Sequence, residues 1–364
     1  MFRFERARIT VGAVAVAAVA ALIGGCSSSS SSSSSAAAAG GSTSSAAAAG
    51  GSGARMAIFY YNPSPYGIAS LKGAQETAAK LGIKLDAFDA NNNPQLQSTQ
   101  IQDAITTGKY KAFWVWGLND PALTPVINKA LSAGIKVASA DYTWGTLEQQ
   151  NTLAAHPQFV TTVGQSIGPE ATNLQSAMNA ACKKMVGSGH CNIAFLPGLD
   201  NFPTDTVRIN SMTAYYNGKP NYTFTVMPPG NYDQTASQGV AQTFFTAHKN
   251  INVFATFGDQ MAQGTMTALR LVGGYTPGKN IMIIGYGGAK EIVDEVKAGT
   301  VYATLGLYPR SESVLGIGYL NDALNGRPVP NPVNILNTDT RPAIIDQVFL
   351  SAHPNFQPDW TLQG

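Results

Sequence analysis

Short apolar strands alternate with helical stretches through residues 56–140, and after a polar interval the same alternation begins again and runs to about residue 324. Strand-like runs at 56–61, 83–88, 112–116 and 135–140 are separated by helix-period segments at 68–81, 95–107 and 121–133, and Gly82, Gly108 and Gly134 punctuate the helix ends. The second series places strands at 159–163, 192–196, 222–227, 253–257, 281–286 and 303–307, and helices at 170–185, 235–248, 260–272, 290–298 and 313–324. Strands separated by helices pair in parallel through right-handed crossovers. The expected fold is therefore α/β, with two doubly wound parallel-sheet domains that each expose their strand C-termini to a shared cleft.

The N-terminus sets the compartment. Arg3, Arg6 and Arg8 precede an apolar run at 9–23, followed by Leu22-Ile23-Gly24-Gly25-Cys26, the layout of an export signal. The string resembles a bacterial lipobox, which implies cleavage before Cys26 and lipidation of its thiol. An uncleaved anchor is the other reading, although the run is short for a membrane span; both tether the protein outside the cytosol. Residues 27–35 are all serine and 36–53 contain only Ala, Gly, Ser and one Thr. With no large side chain to bury, 26–54 is expected to be a flexible tether, with folded structure beginning near Arg55.

Loss of residues 1–25 removes three arginines and Glu5, so the net charge of +2 falls to zero. No basic footprint for nucleic acid remains. In an oxidising compartment Cys182 and Cys191 are expected to pair across the turn Gly187-Ser188-Gly189; the rival, a metal site with His190, needs more ligands than the loop offers.

Several ordered blocks carry a resemblance. They are Ser64-Pro65-Tyr66, Gly73-Ala74-Gln75, Asn92-Asn93-Pro94, Asp120-Pro121 and Ala133-Gly134-Ile135-Lys136-Val137 leading to Asp141. Further on come Phe254-Ala255, Asp259-Gln260-Met261-Ala262, Ile284-Gly285-Tyr286, Lys297-Ala298-Gly299 and Ala303-Thr304. In this order and spacing the chain resembles the type I periplasmic binding proteins of the ribose and galactose kind, over residues 55–339. The resemblance implies two lobes joined by a three-stranded hinge: 55–158 with 308–331, and 159–307 with 332–340, leaving 341–364 as a tail without an assigned role. Crossings are expected near 156–159, 307–309 and 328–332.

The resemblance also implies a site in which aromatic faces and polar edges grip a hydroxylated ring. Tyr66 matches a stacking position, Asp141 an acceptor and Arg208 a guanidinium opposite it. Trp116, Tyr142, Trp144, Phe257, Tyr286 and Tyr308 stand at or beyond strand C-termini as further aromatic candidates, and Asn62, Asn119, Asp259 and Gln260 as polar ones. Three positions depart from the family pattern: Gly258 stands for an amide, Gly287 for an aspartate and Leu307 for a glutamine. A hydroxyl desolvated without a partner costs about 1–3 kcal/mol, so the expected ligand is bulkier or less hydroxylated on that face, such as a modified sugar, a polyol derivative or an aromatic-bearing molecule. The implied role is capture of that ligand by a monomer and delivery to the permease and ATPase of an ABC importer. The alternative is a sensing lipoprotein that presents its closed form to a membrane receptor.

Enzyme-like strings are weighed against this. Gly164-Gln165-Ser166-Ile167-Gly168 matches a nucleophile elbow, but Pro169 suits an ordinary helix start and no acid-histidine pair is specified by His190, His248 and His353. Gly273 to Lys279 imitates a phosphate loop with Asn280 at the magnesium position, and it follows a helix rather than preceding one. No enzyme activity, cofactor or catalytic metal is expected. A repressor sharing the two-domain core would begin with a helix-turn-helix, where this chain has a signal and a serine tract.

Overall fold

The computed structural model describes residues 53–200, 202–336 and 340–363. Cys26, the proposed signal and nearly all of the tether lie outside the described residues. The first lobe is built on β1 (Arg55–Tyr60), β2 (Lys84–Asp89), β3 (Ala112–Val115), β4 (Lys136–Asp141) and β5 (Thr162–Gly164), interleaved with α1 (Pro65–Lys80), α2 (Pro94–Thr106), α3 (Asp120–Ser132) and α4 (Leu147–Thr152). The second holds α5 (Ile167–Val186), β6 (Cys191–Leu196), α6 (Pro203–Tyr216), β7 (Tyr222–Val226), α7 (Gln234–Ala247), β8 (Val253–Thr256), α8 (Asp259–Val272), β9 (Met282–Gly287), α9 (Lys290–Ala298) and β10 (Ala303–Gly306). The chain then returns through α10 (Pro309–Leu324) and β11 (Val333–Asn334) and ends with β12 (Ile344–Asp346) and α11 (Gln347–Ala352).

Sheet one runs β11-β5-β4-β3-β1-β2 and sheet two β12-β10-β9-β8-β6-β7. Pairing is parallel throughout except for β12, which runs antiparallel to β10. The period of two explains the layers of sheet one. Met56 and Ile58 of β1 pack with Trp114, Ala138, Ala74 and Ile317 on one face, while Ala57 and Phe59 pack with Phe113, Ile101 and Ile127 on the other. Both faces are thus covered by helices, as a parallel sheet requires. In sheet two Ile193, Phe195, Phe254 and Ile284 share a core with Met178, Phe245 and Val293.

Three features depart from the sequence reading. The strand expected at 159–163 begins at Thr162 and pairs with β4 through Ser139 and Thr162, so it belongs to the first sheet rather than opening the second lobe. The first crossing therefore falls at Gln165, whose Nε2 donates to the Gly306 carbonyl at 3.1 Å beside the second crossing. Pairing of Val333 with Val163 likewise puts β11 in the first sheet, so the boundary expected at 332 moves beyond Asn334. Residues 344–352 are not a loose tail, because β12 extends sheet two and α11 follows it.

Cys182 and Cys191 are joined, closing the corner between α5 and β6. Among the described residues no helix is long and apolar enough to cross a membrane.

Candidate functional site

A cavity of about 80 Å³ lies where the C-terminal ends of both sheets face each other. This is the place a doubly wound order predicts, since the strand order reverses at β1, between β3 and β2, and at β6, between β8 and β7. The turn after β1 brings Tyr61 and Asn62, α1 brings Tyr66, and the end of β4 brings Asp141 and Tyr142. From the opposite lobe come Phe202 and Arg208 at α6, Tyr232 from the turn before α7, Phe257, Gly258 and Gln260 around the start of α8, Tyr286 of β9, and Leu307.

Asp141 is fixed by its backbone. Its φ of 74° is a left-handed conformation uncommon for a residue with a side chain, and its carbonyl accepts from the Gln165 amide at 2.9 Å. A Cβ on the facing Gly164 would lie 1.9 Å from that carbonyl, so only glycine allows the approach. The side chain accepts from the Tyr66 hydroxyl at 3.5 Å. Burial pushes the Asp141 carboxyl up to about 7, reinforced by Glu170 and opposed by Tyr142, Arg208 and Tyr66. Glu312, fully buried on α10, is also shifted upward, by burial first and then by the Asp141 charge.

Arg208 has a denser setting than a guanidinium that simply awaits a ligand. It is 3% exposed, its Nη2 donates to Glu170 Oε2 at 2.5 Å, and its Nη1 stands 3.7 Å from Asp205 Oδ1. The Tyr286 hydroxyl donates to the same Glu170 oxygen at 2.5 Å, and the Tyr232 hydroxyl to Asp205 at 2.6 Å. The guanidinium carbon lies 5.1 Å from the ring centre of Tyr286, 5.4 Å from Phe257 and 5.6 Å from Tyr142, within cation–π range. Such a charge, paired and ringed by aromatic faces, is held in one position.

Of the residues singled out from the sequence, Asn62, Tyr66, Asp141, Tyr142, Arg208, Phe257, Gln260 and Tyr286 line the cavity, as do the departures Gly258 and Leu307. Five others are placed elsewhere. Trp116 lies behind the lining, packed on Tyr61 and Tyr66 at 5.3 and 5.0 Å. Trp144 is turned away because the 142–146 loop folds back on α3: Asp120 accepts from the Gly145 amide, and the Trp144 indole donates to Thr124 Oγ1 at 3.1 Å. Asn119 caps α3 through the Ala122 amide. Asp259 is buried and accepts from the Ala289 amide at 2.7 Å and from Thr304 Oγ1 at 2.8 Å, bracing the turn after β9. Tyr308 donates to the Pro342 carbonyl at 2.7 Å.

Sequence reasoning missed Tyr61, Phe202, Tyr232, Glu170 and Trp360. Tyr61 adjoins Asn62 and was within reach of the same strand-end argument. Phe202 and Tyr232 sit in turns, and Glu170 reads only as an acid in a helix's first turn, where the macrodipole already welcomes it.

The string around Ser166 is the first crossing itself. His190 and Pro220, His248 and Phe244, and His353 and Phe349 are paired through ring nitrogen and carbonyl at 2.9–3.1 Å. Among the described residues no group of three or more His, Cys, Asp or Glu side chains could hold a metal ion.

The sequence profile described as "Periplasmic binding protein domain" matches residues 57–328. The ribose import binding protein of Bacillus subtilis is 21% identical over 278 residues, covering 74% of this chain and 81% of that protein. The D-allose-binding periplasmic protein of Escherichia coli is 22% identical over 272 residues, 73% of this chain and 83% of its own length. Among solved structures, an ABC transporter solute-binding protein of Mycobacterium smegmatis with bound glycerol aligns with a TM-score of 0.69 at 22% identity, covering 85% of this chain and 99% of that one. With its two parallel-sheet lobes and a family match over most of its length, this chain belongs to the type I periplasmic binding proteins.

Proposed function

We propose that this protein captures a sugar or polyol in the cleft between its lobes and delivers it to an ABC importer, held at the membrane surface by a lipid on Cys26. One observation carries the reading: aromatic faces from both lobes surround Asp141 and the braced Arg208 at the meeting point of the two sheets. A hydroxylated ring needs C–H stacking surface and a few fixed donors and acceptors, and this cavity supplies both. Its polar groups are few beside Tyr61, Tyr66, Tyr142, Phe202, Tyr232, Phe257, Tyr286 and Trp360, which favours a ligand with substantial apolar surface. The ribose and allose specificities named for the relatives support the carbohydrate class. Export is supported by the signal-like 1–25 segment and the serine tether, and release of a Cys26→Ser protein from membranes would accord with the lipid.

The test is a thermal-shift screen of sugars, polyols and nucleosides. A ligand at a hundred times its Kd adds about 2.7 kcal/mol of stability. Asp141→Asn and Tyr66→Ala should abolish the shift, and hits that bind both variants as well as the parent would remove the cleft from consideration.

A further inference from the structure

The C-terminal segment carries one side chain into the cavity. Trp360, 5% exposed, lies among the lining residues. Its indole nitrogen, the ring's one polar atom, donates to the Gly287 carbonyl at 2.8 Å. The ring stands edge-to-face with Tyr66 of the opposite lobe, with centres 5.6 Å apart. A Cβ on Gly287 would come within 2.7 Å of Trp360 Cζ2, so a larger side chain at 287 and the indole compete for the same space. The absence of a side chain at 287 thus makes room for the ring.

Consecutive residues hold the ring in place. Asp359 accepts from the amides of Arg310 and Ser311 and from Ser311 Oγ at the start of α10, in the first lobe. The Trp360 carbonyl accepts from the Lys290 amide, and the Leu362 amide donates to Glu291, both in the second lobe.

We propose that Trp360 is a specificity-determining ligand contact that selects sugars presenting a C–H or methyl edge, rather than a hydroxyl, toward the end of β9. This deepens the carbohydrate reading and rests on it. With its N–H committed to Gly287, the indole offers only carbon surface, and a hydroxyl pressed against it is desolvated without a partner. A deoxy carbon at that position stacks instead.

Isothermal titration of the full chain with D-fucose and D-galactose, which differ by one hydroxyl, reads this directly. The unaltered protein should prefer D-fucose by about tenfold, the scale of one such group in an apolar pocket. Trp360→Ala, which vacates the ring and frees the Gly287 carbonyl, should bring the ratio toward one, while Trp360→Phe should keep most of it. A folded Trp360→Ala protein with an unchanged ratio, or an unaltered protein that prefers D-galactose, overturns the inference. If Trp360→Ala does not fold, indole ¹⁵N spectra of the unaltered chain decide. The resonance missing from Trp360→Phe should shift on adding D-fucose, and an unmoved resonance on saturation overturns the inference. Failure of D-fucose, D-galactose, D-ribose and myo-inositol alike to bind the unaltered protein would instead overturn the carbohydrate reading, and this inference with it.

Discussion

Asp141 and its neighbours set the residue scale, because their burial controls how the protein responds to pH. Burial pushes Asp120, Asp141 and Asp259 each up to about 7, against about 3.9 in an unfolded chain. A carboxyl whose folded pKa is raised takes up a proton on folding. Its stability contribution is therefore greatest at low pH and declines as pH rises from about 4 through 7. His156, shifted downward by burial, works in the opposite direction, but it is one group against three carboxyls and is largely neutral in both states above about pH 7.5. The melting temperature of the ligand-free protein should accordingly fall from pH 6.5 to 8, and Asp141→Asn should flatten that slope; a melting temperature that rises over this interval would contradict the assignment. The Arg208 cluster gives a second prediction. Truncation to Ala strands the 2%-exposed Glu170 without its cation, a loss of about 3–5 kcal/mol for a buried pair. Urea denaturation should show Arg208→Met combined with Glu170→Gln to be less destabilised than Arg208→Met alone.

Among elements, those with a strong apolar period were legible and those whose inward face is polar were not. The inner strands of both sheets announce themselves because parallel strands are apolar on both faces, as in Ala112–Val115, all four buried, whereas the edge strands β11 and β12, two and three residues long, carry no such pattern. Helix α6 is hard to read from sequence because the buried positions of its first half are Thr204, Asp205 and Arg208, which serve the cleft, and the apolar Met212 and Tyr216 that follow leave only a short stripe. The strand pattern at 159–163 is legible but its lobe is not, since a pattern of side chains reports burial and not the identity of the pairing partner, here β4. Trp144 was misplaced for a related reason: a polar loop folded back onto a helix can bury an indole by giving its N–H a hydroxyl acceptor. Close helix-on-sheet contact was equally invisible. Gly316 of α10 lies where a Cβ would meet Trp114 Cη2 at 2.5 Å, so Gly316→Ala should cost about 1–3 kcal/mol through overpacking. Chemical denaturation would measure it, and Gly318→Ala, whose Cβ meets nothing within 4 Å, is the matched control.

For the whole molecule the governing question is what holds two lobes together around a small cavity. Edge-to-face contacts cross the cleft between Tyr61 and Phe202 and between Tyr66 and Trp360, so the structure is a closed arrangement. The segment around Asp359 adds a tie of a different kind. Tyr308, at the N-cap of α10, provides no side-chain cap; Asp359 caps the helix from 48 residues away, while the residues after it bond to the turn and helix following β9. Separation of the lobes must therefore break the Asp359 bonds or those of Trp360 and Leu362. A side-chain cap contributes about 0.5–2 kcal/mol, and a tie present only in the closed form biases closure by that amount. Asp359→Ala should then widen the ligand-free protein in small-angle scattering and speed ligand release by about tenfold, the ratio that 1.4 kcal/mol represents. Because Asp359 is absent from the cavity lining and Trp360 keeps its own bonds to Gly287 and Lys290, the ranking of ligands should stay as it was while release accelerates. An unchanged release rate in a folded Asp359→Ala protein would mean that the segment follows the lobes and does not restrain them.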